Sequence, residues 1–249
     1  YTLGLSATPK RKDGLSTVFE WYLGPYVFKQ SEKETREVDI HLVQYSIEDK
    51  LYNVNEVTNY GKICMPRMIN NITQYDRRTT IILRLLCNLA GEEGRQVLVL
   101  SDRRDHLKKM YEYFETSKIA TVGYYIGGMK QSQLKESEGK QILFGTYSMS
   151  SEGMDIPTLN TLILASPKSD IEQSIGRILR KKHNTIVPHV YDICDQFSVF
   201  HNQMKKRMAF YKKQHFNLYT IIIDDSLDTP LENIFPLLNK RDKIEYIKK

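Results

Sequence analysis

Cysteine is scarce in this chain. Cys64, Cys87 and Cys194 are far apart, odd in number and without a CxxC pair. That argues against a disulfide framework or a zinc site and for a reducing compartment. Long apolar runs are missing too, since Arg84 interrupts the stretch from Ile81 to Leu89, and no segment reads as membrane-spanning. The opening residues from Tyr1 to Pro9 have neither the basic start nor the apolar middle of a signal peptide, and there is no initiator Met. The chain therefore reads as part of something longer. Internal repeats and low-complexity tracts are absent. His183 and His189 have no metal-ligand partner at a useful spacing, so no metal is expected. The one tryptophan, Trp21, is expected to anchor a short helix to a core.

What is present describes a soluble globular protein. The 249 residues are 41% hydrophobic and 27% charged, enough for one large domain with additions. The formal net charge of +6 hints at a polyanionic partner.

Taken in order, Tyr1 to Leu5 reads as a buried strand ended by a turn at Ser6 to Pro9, and Leu15 to Leu23 as a short amphipathic helix closed by Gly24. A strand is predicted at Val38 to Tyr45. Helical patterns follow around Ile47 to Val57 and from Thr79 to Leu89, with residues 58 to 78, rich in Asn and Arg, read as a linker or loop-rich insert. From Gly94 the pattern is regular. Val97 to Leu100 is a wholly apolar strand of the kind found in parallel sheets, and Ser101 can cap a helix from Asp102 to about Thr116. Next come a strand at Ala120 to Ile126, a turn at Gly127 and Gly128, a helix near Gln131 to Glu136 and a strand at Gln141 to Phe144. A loop from Gly145 to Pro157, a strand at Thr161 to Ala165, a helix starting near Asp170 and a strand at Val187 to Ile193 complete the set. This alternation predicts a doubly wound, mainly parallel α/β sheet flanked by helices, with ligands at the carboxyl ends of its strands. A long basic helix at Gln196 to His215 and an apolar strand at Phe216 to Ile223 form a C-terminal extension.

Two stretches carry chemistry. Gln173, Gly176, Arg177 and Arg180 put two guanidiniums three residues apart on one helix face, and such planar forks grip phosphoryl oxygens. Alone, the spacing favours a basic surface helix. From Gly145 to Pro157, glycines and hydroxyls directly follow a strand and can approach a phosphate closely. Asp155 could accept a ribose hydroxyl or hold an arginine, or simply cap a helix. In the basic helix, Lys205, Lys206, Arg207, Lys212 and Lys213 could meet phosphates, while Phe197, Phe200 and Phe210 read as its buried face. The segment Leu231 to Leu238 could dock a partner, though packing on its own domain is the simpler reading.

In series, Ser6-Ala7-Thr8, Gln96 to Arg104, Gly145 to Pro157 and Gln173 to Arg180 resemble motifs III to VI of superfamily 2 helicases. With the stretch from Gly4 to Leu15 and on to Gly24, the resemblance is to helicases of large cytoplasmic DNA viruses. It covers residues 1 to about 195. It implies a RecA-like fold, with the end of a first RecA-like domain and a linker at 1–35, a second at 36–223 and a tail at 224–249. It implies that Arg177 and Arg180 act as arginine fingers on ATP, with Gln173 at the same interface, Gly153 permitting close approach and Asp155 at the ribose or a finger. By the same resemblance, Ser101, Arg103, Gly127, Gly128 and Thr146 contact nucleic acid, DNA favoured over RNA, and Ser6 and Thr8 couple the two sites. The family also needs a Gly-x-x-x-x-Gly-Lys-Ser/Thr loop and an Asp-Glu pair, and neither occurs in these 249 residues. ATP and Mg²⁺ are thus expected mainly on a preceding RecA-like domain, and the chain alone is expected not to hydrolyse ATP. The expected setting is a monomer at cytoplasmic sites of viral replication or transcription, with the nucleus as the alternative. An RNA helicase, a translocase that displaces bound proteins, a binding module derived from a helicase and the motor part of a restriction-type nuclease stay open as alternatives.

Overall fold

The computed structural model describes residues 4, 15–25, 27–28, 37–151, 154–178 and 186–246. The chain divides into two compact units, residues 1–35 and 36–249. In the first, helix α1 (Ser16–Leu23) stops at Gly24, whose φ of +85° suits a residue without a Cβ. Trp21 does not anchor it to a described core: the indole is 84% exposed, and no described residue of this unit is buried. Apart from Gly4, the strand predicted at the start of the chain, with Ser6 and Thr8, lies outside the described residues.

The second unit is built on eight strands in the order β3-β4-β2-β5-β6-β1-β7-β8. They are β1 (Asp39–Ile47), β2 (Val97–Leu100), β3 (Val122–Tyr125), β4 (Ile142–Gly145), β5 (Thr161–Leu164), β6 (His189–Asp195), β7 (Asn217–Asp225) and β8 (Asp242–Lys243). All pairings are parallel except β7 with β8. Because both faces are covered, strands such as β2 are buried at every residue and read as continuous apolar runs. Val97 and Val99 enter one core with helices α2 (Met65–Gln74), α3 (Asp76–Ala90) and α4 (Arg104–Ser117). Leu98 and Leu100 enter the other, with α5 (Gln131–Glu138), α6 (Tyr147–Ser151), α7 (Glu172–Ile178) and part of α8 (Ser198–Lys213). The mainly parallel doubly wound sheet flanked by helices is the expected fold.

Several local expectations are corrected. Residues 47–57 are not helical: Asn53 donates to the Ile47 carbonyl at 2.6 Å and Asp49 accepts from the Leu51 amide at 2.8 Å, side-chain bonds that compete with a helix. The supposed linker at 58–78 holds α2, started by Pro66 and burying Met68, Ile69 and Ile72. Ser101 does not cap α4; Arg103 stands at that position without a side-chain bond, and the Ser101 hydroxyl accepts the Arg103 amide. The Gly145–Pro157 loop contains α6. Arg207, counted among surface cations of the basic helix, is buried against Asp192 at 2.7 Å. Lys205, Lys206, Lys212 and Lys213 are exposed, whereas Phe200 is buried and Phe197 and Phe210 pack on the cores. Past β7, helix α9 (Leu231–Ile234) and a 3₁₀ turn (Phe235–Asn239) bury Ile234 and Leu238 in the first core. Among the described residues no helix is long and apolar enough to cross a membrane.

Two buried guanidiniums pin the loop after β5. Arg78 of α3 meets Asp195 at the end of β6 through two bonds of 2.5 and 3.0 Å and donates to the Ala165 carbonyl at 2.9 Å. Arg207 of α8 bonds Asp192 of β6 and donates to the Lys168 carbonyl at 2.9 Å.

At the amino ends of β1, β6 and β7 lies a second buried polar group. His41 is stacked between Tyr191 and Tyr219, with centroids at 4.5 and 5.2 Å. Neither of its nitrogens has a hydrogen-bond partner among the described residues. Asp39, His41 and His189 bring ligand-type atoms within 4.8 Å of one another, a proximity that sequence spacing hid. The Arg95 guanidinium stands 3.3 Å from His189 Nε2 and Arg241 bonds the Tyr191 hydroxyl, so two positive charges stand beside this cluster and disfavour a cation in it. Burial, then the neighbouring His189, Arg241 and Arg95, holds His41 down to about 2. Burial, then Arg95 and Arg241, holds His189 at about 3. Burial, then Arg78 and Lys109, does the same to His106 at about 3.

Two stability predictions follow from these contacts. Arg78→Met strands a buried carboxylate and is expected to cost about 3 to 5 kcal/mol in denaturant unfolding, while Arg78→Met with Asp195→Leu recovers most of that; a single-variant loss below about 1 kcal/mol would remove the pair from its anchoring role. The three histidines are neutral when folded and protonate near 6.5 when unfolded, so the unfolded chain binds more protons below that pH. Stability should therefore fall as pH drops from about 6.5 toward 3, by roughly 2 kcal/mol per histidine between 6.5 and 5. His41→Phe is expected to hold stability at pH 7 and flatten this dependence; an unchanged slope would contradict it.

Candidate nucleic-acid and nucleotide interface

Strand order decides which loops meet. β4 and β5 lie on either side of β2, so the segments after all three leave from neighbouring carboxyl ends, the position where open α/β sheets bind ligands. β3 adds its own end beside β4. This edge carries Gly127 and Gly128 after β3, Thr146 after β4, Ser101 and Arg103 after β2 and α7 after β5.

Each candidate can be placed. Gly145 closes β4 so tightly that a Cβ there would stand 3.1 Å from the Tyr125 carbonyl oxygen. Thr146, half-buried, has its hydroxyl 3.1 Å from that of Ser148. Gly128 has φ +92° and open space around it, while the Gly127 carbonyl accepts from Arg104 at 2.9 Å. Ser101 is fully buried, and its hydroxyl lies 3.2 Å from His106 Nδ1. The Arg103 guanidinium is engaged inside the protein: it donates to the Asp102 and Pro66 carbonyls at 3.1 and 2.9 Å and to the Asn70 side chain. Arg103 thus fastens α2 to the end of β2, and Ser101 shapes the strand end from within.

On the nucleotide side, Gln173 and Asp155 are exposed, and Arg177 falls on α7. The Arg177 side chain, and Gly153 and Arg180 altogether, lie outside the described residues.

Sequence reasoning passed over the residues that join the two sides. Ser150 of α6 and Ser174 of α7 bring their hydroxyls to 3.1 Å, and Ser150 also donates to the Tyr147 carbonyl at 2.8 Å. The buried Tyr147 hydroxyl donates to the Ser166 carbonyl at 2.7 Å. Lys168 bonds both carboxylate oxygens of Asp102 at 3.0 and 3.1 Å, and the Ser166 hydroxyl accepts the Asp102 amide at 2.9 Å. Ser150 and Ser174 lie inside the two stretches the motifs mark, and their small hydroxyls were the available signal. For the Lys168–Asp102 pair no sequence signal exists. The result is one hydrogen-bonded platform that joins the segment after β4, the segment after β2 and the helix after β5.

Likeness to known proteins bears on the family and the fold. The model of the helicase conserved C-terminal domain matches residues 78–182. A protein of Acanthamoeba polyphaga mimivirus named as an ATP-dependent RNA helicase is 38% identical over 256 residues, covering all of this chain and 47% of that protein. A probable helicase of Escherichia phage T5 is 29% identical over 229 residues, covering 89% of this chain and 49% of its own length. The crystal structure of T4 UvsW superposes with a TM-score of 0.59 over 82% of this chain and 45% of its own, at 20% identity, a likeness of fold. The chain spans about half the length of the relatives it matches. With a RecA-like sheet and relatives among viral helicases, the chain carries the helicase conserved C-terminal domain over residues 78–182.

Proposed function

We propose that this chain is the C-terminal motor half of an ATP-dependent superfamily 2 helicase or translocase, acting on nucleic acid with a preceding RecA-like domain of the same protein. The observation that carries the reading is the Ser150–Ser174 contact, which joins the segment after β4 to α7. On one rigid support stand a glycine-threonine turn suited to a backbone phosphate and a helix bearing Gln173 and Arg177, with Arg180 following. ATP and Mg²⁺ would be held mainly by the preceding domain. Arg177 and Arg180 would complete the site as fingers, stabilising charge on the transferring phosphoryl group, with Asp155 at the ribose or orienting a finger, Gly153 allowing close approach, and Ser6 and Thr8 as the link between sites. Contacts to the strand would be chiefly to phosphates, so binding tolerates sequence and weakens with salt. DNA is the substrate in this reading. The mimivirus relative's name favours RNA as the second reading.

The test is ATP hydrolysis by the full-length protein with single-stranded DNA, duplex DNA or RNA, in wild type, Arg177→Ala and Arg180→Ala. We expect stimulated hydrolysis to fall by about 10³-fold or more in each variant while nucleic-acid binding is retained, and the better stimulant names the substrate. Unchanged hydrolysis in the variants would make the arginines structural. The 249-residue chain by itself is expected to turn over no ATP, and robust turnover by it would overturn the division of labour between two domains.

A further inference from the structure

Between β1 and α2 the chain forms a small hairpin that the reading above does not use. Val57 pairs with Ile63 in antiparallel fashion. The Thr58 amide donates to the Lys62 carbonyl at 2.7 Å, the Gly61 amide to the Thr58 carbonyl at 2.9 Å and the Cys64 amide to the Glu56 carbonyl at 2.7 Å. Gly61, at φ +71°, supplies the left-handed residue that a three-residue hairpin loop requires. Tyr60 therefore stands at the tip, 91% exposed. An exposed tyrosine on a hydrogen-bonded loop has few conformations to lose on binding.

The hairpin is also fixed from below. Arg67 of α2 donates to the Val57 carbonyl at 3.3 Å, and Asn71 donates to the Leu51 and Tyr52 carbonyls at 2.8 and 3.2 Å. At the start of α2, Arg103 holds Pro66 and Asn70. The candidate contacts at Gly127–Gly128, Thr146 and Arg103 follow the ends of β3, β4 and β2, which are neighbours in that order, with strands about 4.8 Å apart. Arg103 then passes that line to α2 and the hairpin. Charge agrees: between Glu56 and Asp76 the sequence holds Lys62 and Arg67, several asparagines and no carboxylate, and Lys62 and Arg67 are exposed.

We infer that the Val57–Ile63 hairpin is a further nucleic-acid contact, in which Tyr60 stacks on a base of a single strand and Lys62 meets a flanking phosphate. The inference rests on the nucleic-acid reading of the adjacent edge. Stacking on an aromatic ring accepts any base and is strong enough to matter beside phosphate contacts.

The experiment measures binding of a fluorescently labelled single-stranded thymidine oligonucleotide, and of the uridine RNA of equal length, to the full-length protein. Variants are Tyr60→Ala, Tyr60→Trp and Lys62→Ala, each checked for an unchanged thermal melt. The stacking role predicts affinity about tenfold weaker in Tyr60→Ala and preserved in Tyr60→Trp. Lys62→Ala should lower the slope of log affinity against log salt by about one. If the wild type binds and Tyr60→Ala binds equally well, this inference is overturned while the motor reading stands, and the exposed Val57, Tyr60 and Ile63 are left to a protein partner. An equal loss in Tyr60→Ala and Tyr60→Trp would overturn stacking. If the wild type binds neither strand, both readings fall.

Discussion

The Arg78–Asp195 pair is the constraint on which the rest of this domain depends. A guanidinium and a carboxylate, both out of solvent, would cost more in lost hydration than their attraction returns unless every remaining polar edge were occupied. Here the edges are occupied usefully. Asp195 also accepts the Tyr52 hydroxyl, and Arg78 also donates to Ala165 at the exit of β5. One ion pair thereby fixes α3, the turn before the hairpin, the end of β6 and the start of the loop that leads to α7. Arg207 grips the same loop from the other face of the sheet through Asp192 Oδ2 and the Lys168 carbonyl, although Asp192 Oδ1 has no partner among the described residues. A loop of a few residues between β5 and α7 is held at two carbonyls by two arginines from opposite cores.

That placement explains why this edge can serve as a site. Loops are ordinarily the loosest parts of an α/β domain, and a helix required to present side chains to a phosphate within fractions of an ångström cannot hang from a loose one. Buried bonds to Ala165, Ser166 and Lys168 restrain the approach to α7, and the Ser150–Ser174 contact restrains α7 itself. The opposite edge has a different character. His41, His189, Tyr191 and Tyr219 form an apolar-like stack at the amino ends of the strands, with imidazoles kept neutral by burial and by neighbouring guanidiniums. Such a group packs well but tolerates no proton, so its contribution depends on pH.

Much of this was legible in the sequence because the responsible forces act locally. Val97 to Leu100 had to be buried on both faces, and the period of Ile81, Ile82, Leu85, Leu86 and Leu89 could only be a helix face. The stretches around Gly145 and Gln173 stood out as a pair, a glycine- and hydroxyl-rich segment after a strand followed by two spaced arginines, although each alone also fits a plain connector or a basic surface helix. Helix α2 was missed although Met65, Met68, Ile69 and Ile72 carry a clean helical spacing, since the asparagines between them lower its average hydropathy. The helix expected at 47–57 failed for a reason that periodicity does not contain, the capture of backbone groups by Asp49 and Asn53. The buried roles of Arg78 and Arg207, and the meeting of Asp39 with His189, depend on partners from distant strands. No local pattern announces them.

The same carboxylate also ties the two halves of the proposed site together. From α2, which holds the hairpin through Arg67, contacts run from Asn71 to the Tyr52 carbonyl, from the Tyr52 hydroxyl to Asp195, from Asp195 to Arg78 and from Arg78 to the Ala165 carbonyl before α7. From Asn71 onward these bonds lie among buried or half-buried groups. A path of this kind keeps distances constant and does not by itself transmit a change, because transmission needs an element with two states. In a motor of the proposed type, that rigidity is what the C-terminal half must supply. If strand contacts and phosphate-facing arginines move as one body, any motion that accompanies hydrolysis is left to the relation between this domain and the one before it, where it can become displacement along the strand.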